Sequence, residues 1–208
     1  MPANPSNGLL LVISAPSGGG KTTLCEALLK SDPQLIVRAV TCTTRTPREG
    51  ERDGVDYYFL DAGDFLKRVQ AGNFLEHATV YGNSYGTLKS EVLGKLRQGK
   101  DVLLNIDVQG AAAIRDKAEE DDELRGALVT VFLAPPSLGI LEKRLRSRNQ
   151  DSDTVIQKRL SVARHEIAQW KHFDYLIVSS TVQDDLAKMQ CLITAEKLRQ
   201  ARARLPEY

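Results

Sequence analysis

The sequence of 208 residues has little of what marks secreted, membrane or zinc proteins. Its only three cysteines, Cys25, Cys42 and Cys191, are odd in number, far apart and without the spacing of metal ligands. We therefore expect reduced thiols in a cytoplasmic protein, with no disulfide and no zinc. The apolar run near the N-terminus is too short to cross a bilayer and lacks a basic lead and a cleavage site. It is interpreted as a buried strand, and no membrane association is expected.

The sequence also lacks an excess of charge of either sign. It has 28 Lys and Arg against 27 Asp and Glu, for a net charge of +1. This balance provides no general basic surface for nucleic acid or an anionic membrane. Positive charge is local instead, at Arg45 and Arg48 and again over residues 143–148. A hydrophobic content of 42% and a charged content of 26% indicate one compact domain of the α/β kind.

What the sequence does have is an apolar strand, residues 9–13, that leads directly into a glycine-rich loop. Small residues let successive backbone N–H groups turn toward phosphate oxygens, and a helix beginning near Lys21 adds the positive end of its dipole. We predict that Lys21 neutralises the β and γ phosphates of ATP and that the Thr22 hydroxyl contacts Mg²⁺. The residues assigned to ATP are Ala15, Pro16, Ser17, Gly18, Gly19, Gly20, Lys21, Thr22 and Thr23. Ala15 replaces the usual first glycine, which is tolerable because it ends the strand.

Strands and helices alternate along most of the chain. Short apolar runs predict strands at 9–14, 102–106, 128–133 and 175–178. Helical spacing predicts helices at 21–30, 61–71, 89–97, 138–146, 154–170 and 184–203. This order predicts a doubly wound parallel sheet that binds its ligands at the carboxyl ends of the strands.

Two stretches interrupt the alternation. Between Val40 and Leu88, short β-type pieces and turn residues predict a small mixed sheet inserted into the main fold. Between Pro135 and Trp170 the chain is charged and helical, and it is either a solvated helix pair or a mobile lid. An acidic stretch, residues 118–125, is interpreted as an exposed connector without a function.

A second phosphate site is indicated by residues 41–48, Thr-Cys-Thr-Thr-Arg-Thr-Pro-Arg. Arg45 and Arg48 are three residues apart beside hydroxyl groups, and each guanidinium can donate two parallel hydrogen bonds to a phosphate. Tyr57 and Tyr85 could add phenolic donors. Alone, this segment would be a solvated basic loop, but beside a phosphate-binding loop it predicts the site of a phosphorylated acceptor.

These motifs resemble the guanylate kinase family over nearly the whole chain. The resemblance rests on segment 41–48, Gly-Val-Asp-Tyr-Tyr-Phe at 54–59, Asn-Phe-Leu-Glu at 73–76, Gly-Asn-Ser-Tyr-Gly-Thr at 82–87, Ile-Asp-Val-Gln-Gly at 106–110 and Ala-Pro-Pro-Ser at 134–137. It implies a P-loop nucleoside monophosphate kinase fold that transfers a phosphoryl group from ATP to GMP or dGMP with Mg²⁺. It also implies one domain over 1–208, with a core at 1–39, 91–136 and 171–208, a GMP-binding insert at 40–90 and a lid at 137–170.

The resemblance assigns the acceptor site residue by residue. The GMP phosphate falls on Arg45, Arg48, Tyr57 and Tyr85, and guanine falls on Thr41, Glu76 and Thr87. Chemistry supports Glu76 independently, since one carboxylate can accept from both N1–H and the exocyclic amine of guanine, whereas adenine would leave it unpaired. The alternative is that Glu76 is only a surface charge. Asp107, which follows the strand at 102–106, is expected to join the GMP site and to orient a metal-bound water or an arginine.

Catalysis of phosphoryl transfer depends on cations around the moving group. The expected catalytic residues are Lys21, Arg45, Arg48, Arg148 and Arg159, of which the last two match the family's lid arginines. Arg144 is a supplementary contact. The alternative is that these lid arginines only pair with Asp151, Asp153 or Glu166.

The chain departs from the family pattern at two places. Asn105 stands where many relatives have an aspartate, and Ser179-Ser180 stand where many have Asn-Asp. The first weakens the expectation of metal binding there, and the second weakens a contact to adenine. Two other functions remain open at this point: a protein-interaction module with this fold, and a kinase for another small phosphorylated acceptor. The C-terminal helix leaves a homo-oligomer open.

Overall fold

The computed structural model describes residues 8–147 and 152–203. Its first half contains β1 (Leu10–Ser14), α1 (Lys21–Ser31), β2 (Ile36–Arg38), β3 (Cys42–Thr43), β4 (Tyr58–Phe59), α2 (Ala62–Gln70), β5 (Phe74–Val80), β6 (Asn83–Leu88) and α3 (Lys89–Arg97). Its second half contains β7 (Asp101–Asn105), α4 (Val108–Glu119), α5 (Asp122–Ala127), β8 (Leu128–Ala134), α6 (Leu138–Arg146), α7 (Asp153–Ala168), a 3₁₀ helix (Gln169–His172), β9 (Tyr175–Val178) and α8 (Val182–Leu198).

Five strands form the central sheet, in the order β2-β7-β1-β8-β9. All of its neighbouring strands run parallel, with Leu10 paired to Val102 on one side and to Leu128 on the other. The middle strand β1 is buried along its whole length, which explains its unbroken apolar sequence. The predicted parallel α/β core is therefore confirmed, and its strands end at the edge where the glycine-rich loop begins.

Helices cover both faces of this sheet. On one face, Leu28 of α1 and Met189 of α8 pack against β1 residues such as Leu11. On the other, Leu96 of α3 and Ile114 of α4 join a second apolar cluster. Each fully buried side chain of this size contributes about 1.5–3 kcal/mol, so the two layers hold the strand ends in fixed positions.

A second, mixed sheet has the order β4-β3-β6-β5 and confirms the predicted inserted sheet. Strands β3 and β4 are parallel, whereas β6 runs antiparallel to both β3 and β5. Its small core contains Phe65 of α2 stacked on Phe74 of β5, with ring centroids 4.6 Å apart. Asp61 begins α2 as predicted, accepting a hydrogen bond from the Asp64 N–H at 2.8 Å.

Helices α6 and α7 have an apolar cluster of their own, formed by Leu141, Leu145, Ile156, Leu160 and Ala163. Because this cluster is separate from the two layers of the central sheet, the helix pair is a distinct unit above the strand ends. In the described part of the chain, no helix is both long and apolar enough to cross a bilayer.

The interpretation of residues 118–125 as an exposed connector is wrong. Leu124 is fully buried in α5, and the Asp121 carboxylate begins that helix by accepting from the Leu124 N–H at 3.0 Å. Asp121 also pairs with Lys89 Nζ at 2.6 Å, which ties α5 to α3. Asp121, Asp122 and Glu123 therefore lie at the N-terminus of α5, where negative charge is favourable, whereas Glu119 and Glu120 lie at the C-terminal end of α4.

Two predicted helices have different ends. The helix predicted to reach Trp170 ends at Ala168, and a 3₁₀ turn follows it. The C-terminal helix begins at Val182, capped by the Thr181 hydroxyl, and ends at Leu198 rather than at residue 203.

Candidate active site

The loop between β1 and α1 has backbone conformations that only glycine adopts easily. Gly18 and Gly20 have φ angles of +83° and +97°, and Gly20 immediately precedes the first residue of α1. A Cβ on Gly19 would lie 2.9 Å from the Pro16 carbonyl oxygen, to which the Gly19 N–H donates a hydrogen bond of 2.8 Å. The loop is thus wound tightly and exposes its N–H groups at a helix N-terminus, the arrangement that binds phosphates.

Lys21 is held at the carboxyl ends of the strands. Its Nζ donates to the Ile106 carbonyl oxygen at 2.6 Å, and the Ser14 hydroxyl donates to the same oxygen at 3.0 Å. Burial lowers the pKa of Lys21, and this effect is larger than the opposing influence of Cys25, Asp107 and Glu166. A poorly hydrated ammonium group beside this loop is a strong anion-binding group.

Asp107 lies between the glycine-rich loop and the second sheet. Its Oδ1 accepts from the Gly110 N–H at 2.8 Å and so begins helix α4. Its charge acts on both Lys21 and Glu76 of β5: it opposes the lowering of the Lys21 pKa and adds to the raising of the Glu76 pKa. Asp107 therefore brings a carboxylate close to both halves of the site, with one oxygen already used as a helix cap.

Glu76 and Thr87 form a pair across strands β5 and β6. The Thr87 hydroxyl donates to Glu76 Oε1 at 2.6 Å, and Thr87 is fully buried. Burial is the main cause of a raised pKa at Glu76, which outweighs the opposing hydrogen bond from Thr87. The site thus contains a largely buried carboxylate that is well suited to accept hydrogen bonds from a bound molecule.

Arg45 and Arg48 lie in the loop after β3. Arg45 donates from Nη1 and Nη2 to the two carboxylate oxygens of Glu51, at 3.0 and 2.8 Å. The Arg48 backbone N–H also donates to Glu51, at 2.7 Å, while Arg48 itself is exposed. The Glu51 carboxylate raises the pKa of Arg45, so its guanidinium is charged and already ordered.

Aromatic rings complete this second site. The Arg45 guanidinium carbon lies 5.5 Å from the centroid of the Tyr57 ring, which in turn meets the Tyr85 ring edge-on at 6.2 Å. Thr41 immediately precedes β3, and its carbonyl oxygen accepts from the Tyr58 N–H at 2.9 Å. The structure therefore brings Arg45, Tyr57 and Tyr85 into one cluster.

The α6–α7 pair touches the glycine-rich loop directly. A Cβ on Gly18 would lie 3.0 Å from Cδ2 of Leu145, and Arg144 Nη1 donates to the Gly19 carbonyl oxygen at 3.3 Å. Arg159 is half-buried on α7. Arg148 lies outside the described residues, so the structure gives no position for it.

Sequence reasoning missed two carboxylates of the site. Glu51 was overlooked although it is only six residues from Arg45. Glu166 of α7 accepts from the Ser17 N–H at 3.4 Å, across a separation of 149 residues, and burial raises its pKa. An acid that closely follows the Arg-x-x-Arg pattern was a signal for Glu51, whereas the sequence gives no signal for a contact as distant as Glu166.

The donors near Thr22 suit a hard cation. Thr22 and Asn105 line one small cavity of about 100 Å³, and Asp107 is two residues beyond Asn105. Within the described ranges, no three His, Cys, Asp or Glu side chains are grouped to hold a metal ion. Oxygen donors so few in number fit a divalent cation that takes its other ligands from water and from nucleotide phosphates.

Comparison with known proteins agrees with this geometry. A sequence model described as guanylate kinase matches residues 7–196. The chain is 44% identical to a guanylate kinase of Paramagnetospirillum magneticum, covering 100% of this chain and 94% of that protein. It is 46% identical to one from Idiomarina loihiensis, covering 95% of this chain and 91% of the relative.

Solved structures also include a similar guanylate kinase. The crystal structure of guanylate kinase from Anaplasma phagocytophilum has a TM-score of 0.68 at 33% identity, covering 95% of this chain and 90% of that one. A shikimate kinase from Acinetobacter baumannii, at 16% identity and a TM-score of 0.50, covers 93% of this chain and 97% of that one and shares the fold alone. The family match and the full-length relatives together lead to one conclusion: the chain belongs to the guanylate kinase family.

Proposed function

We infer that the protein transfers the γ-phosphoryl group of ATP to GMP, giving ADP and GDP. The observation that carries this proposal is the Glu76–Thr87 pair of the second sheet, which is linked to Lys21 at the strand ends of the central sheet by the Asp107 charge that acts on both. The loop that holds Lys21 suits a triphosphate, and the Glu76–Thr87 pair suits a base with adjacent hydrogen-bond donors. A kinase that joins two nucleotides needs both.

ATP is proposed to bind with its phosphates on the loop from Ala15 to Thr23. The backbone N–H groups of this loop and the Lys21 ammonium, held 2.6 Å from the Ile106 carbonyl oxygen, would surround the β and γ phosphates. Thr22 would hold Mg²⁺ directly and Asp107 would hold it through water. The ion, when bound, neutralises phosphate charge at the point of transfer.

GMP is proposed to bind in the second sheet. Its phosphate would lie against Arg45, Arg48, Tyr57 and Tyr85, and its base against Thr41, Glu76 and Thr87. The ionised Glu76 carboxylate would accept from the N1–H and the exocyclic amine of guanine. Thr87 fixes the orientation of that carboxylate by donating to Oε1 at 2.6 Å. Because none of these contacts requires a 2′-hydroxyl group, dGMP is proposed as a second acceptor.

In the proposed reaction, a phosphate oxygen of GMP forms a bond to the γ phosphorus as the bond to the bridging oxygen of ADP breaks. Such a transfer needs alignment and positive charge rather than covalent help from the protein. Lys21, Arg45 and Arg48 would supply that charge together with the lid arginines Arg148 and Arg159. Closure of the α6–α7 pair would exclude water, which otherwise competes with GMP for the phosphoryl group.

An acceptor series tests the proposal. ADP release should be measured by a coupled assay with ATP and Mg²⁺ and with GMP, dGMP, AMP or a ribose phosphate as acceptor. Rapid release with GMP and dGMP alone is expected. Release with ribose phosphates and not with GMP would indicate another phosphorylated acceptor, and no release with any acceptor would favour a binding module.

A further inference from the structure

A cavity of about 270 Å³ adjoins the glycine-rich loop, and no residue of the second sheet is among those that line it. Gly18 and Gly20 form one end of it, and the residues that follow β9, including Ser179 and Asp185, form another wall. If the donor phosphates lie on the loop as proposed above, this is where the donor base must lie. The inference below rests on that function.

The wall after β9 contains a buried polar network. Ser179 is 5% exposed and Asp185 of α8 is 4% exposed. The Ser179 hydroxyl donates to Asp185 Oδ2 at 2.8 Å, and the Ser180 N–H donates to Asp185 Oδ1 at 3.0 Å. A single carboxylate therefore organises both serines.

All hydrogen-bond donors of the two serines are used within the protein. In addition to the two bonds to Asp185, the Ser179 N–H donates to the Ala134 carbonyl oxygen at 2.8 Å. The Ser180 hydroxyl donates to Asp184 Oδ2 at 3.2 Å. A hydroxyl whose hydrogen is fixed in this way still has free lone pairs. This wall consequently offers acceptors, and not donors, to a molecule in the cavity.

We propose that Asp185 is a positioning residue that selects the donor base by keeping the hydroxyl lone pairs of Ser179 directed at the cavity, while it fixes the backbone of Ser180 beside it. An amino group on the base finds acceptors there, as in the 6-amino group of adenine. A carbonyl oxygen at the same place, as in a 6-oxopurine, finds no donor on this wall and is left unpaired. Selection should be strong because unpaired polar groups are costly when they lose water.

The proposal predicts how the choice of donor nucleotide changes when the hydrogen bond between Ser179 and Asp185 is reversed. In Asp185→Asn, the amide oxygen can still accept from the Ser180 N–H, but the amide nitrogen must donate to the Ser179 hydroxyl oxygen. The Ser179 hydrogen is then free to point into the cavity and to meet a carbonyl oxygen. Asp185→Asn should therefore improve the use of a 6-oxopurine donor while weakening the use of ATP.

The experiment compares ATP with inosine triphosphate, which carries an oxo group where adenine carries its 6-amino group. kcat/KM should be measured for each donor with saturating GMP, and the affinities of ADP and inosine diphosphate by titration calorimetry. The wild-type protein should prefer the adenine nucleotide about tenfold or more. Asp185→Asn should reduce that ratio at least about fivefold, with inosine triphosphate used better than by the wild type.

Two further variants complete the test. Ser179→Ala should lower the use of ATP without raising that of inosine triphosphate, because it removes the acceptor and adds no donor. Asp122→Asn, which removes an exposed carboxylate on α5, should leave both donors unchanged. The proposal would be overturned if Asp185→Asn lowered kcat/KM equally for ATP and inosine triphosphate. It would also be overturned if the variant left the ratio of the ADP and inosine diphosphate affinities unchanged. The binding ratio is independent of GMP, so failure to phosphorylate GMP would count against the proposed function instead.

Discussion

Glu51 accepts hydrogen bonds from both terminal nitrogens of Arg45, at 3.0 and 2.8 Å, and from the backbone N–H of Arg48, at 2.7 Å. One carboxylate therefore orders both arginine positions of the proposed GMP phosphate site. Because the arginines are ordered before the substrate binds, binding carries a smaller cost in conformational entropy.

Loss of Glu51 should weaken GMP binding. In Glu51→Ala, Arg45 loses two charge-assisted hydrogen bonds, and the order that they provide must be restored by the substrate. We expect the KM for GMP to rise roughly tenfold or more with little change for ATP. Steady-state kinetics with each substrate varied in turn provide the measurement. Glu49→Ala, at an exposed neighbouring carboxylate, is the control, and an equal effect from it would contradict the role of Glu51.

Replacement of Arg48 should abolish most turnover and leave ATP binding nearly intact. Arg48→Met removes a cation from the proposed transfer point, and loss of one such donor typically costs about a hundredfold in kcat. ATP affinity, measured by calorimetry without GMP, should stay close to that of the wild type. Arg52→Met, at another exposed arginine of the same loop, should have little effect. Equal loss of ATP binding in Arg48→Met would assign this arginine to the other nucleotide.

Glu76 should make GMP binding depend on pH. Burial raises the pKa of Glu76, and only its ionised form can accept both guanine donors, so affinity should fall as the pH falls through that raised value. The phosphate of GMP also gains a proton near pH 6, with an ordinary second pKa of about 6. Calorimetry from pH 8 to pH 5.5 on the wild type and on Glu76→Gln separates the two effects.

In Glu76→Gln only the phosphate contribution should remain, and the preference for GMP over AMP should narrow. The same pH dependence in both proteins, together with unchanged discrimination, would show that Glu76 does not bind the base.

Replacing two glycines by alanine should change the stability of the protein in opposite directions. Gly18→Ala places a Cβ on a residue with φ of +83° and 3.0 Å from Cδ2 of Leu145, so it should cost about 1–2 kcal/mol and impair ATP binding. Gly94, inside α3, has nothing within 4 Å of its added Cβ, and Gly94→Ala should stabilise the fold by about 0.5–1 kcal/mol. Thermal unfolding of both variants provides the measurement. If Gly18→Ala and Gly94→Ala were equally stable, the strain that we assign to the glycine-rich loop would be contradicted.

The sequence predicted those parts of the fold that depend on local patterns. An apolar run such as β1, buried along its length, and the cap at Asp61 before α2 leave clear local signals. Helix α4 was not predicted because it begins at Asp107, to which only a site role was assigned, and its buried face includes small residues such as Ala111. Helix α5 was missed because its acidic first turn resembles a solvated loop, while its single apolar anchor, Leu124, gives no periodicity.

The site was predictable where chemistry and spacing suffice and not where contacts are distant. Residue type and order were enough to predict Lys21 and Arg45 as site residues, but the Ile106 carbonyl that holds Lys21 is 85 residues away. The contact of Glu166 with Ser17 spans a still longer separation. The replacement of Asn-Asp by two serines signalled a change near the donor base, yet only the fold shows that Asp185 bonds to both.

The most direct test of the account follows the phosphoryl group itself. The protein should be given ATP labelled at its γ phosphorus, Mg²⁺ and GMP, and the products should be separated. We predict that the label appears in the β phosphate of GDP, with one ADP formed for each GDP. Label released as free phosphate, or left in ATP while GMP stays unchanged, would contradict the transfer.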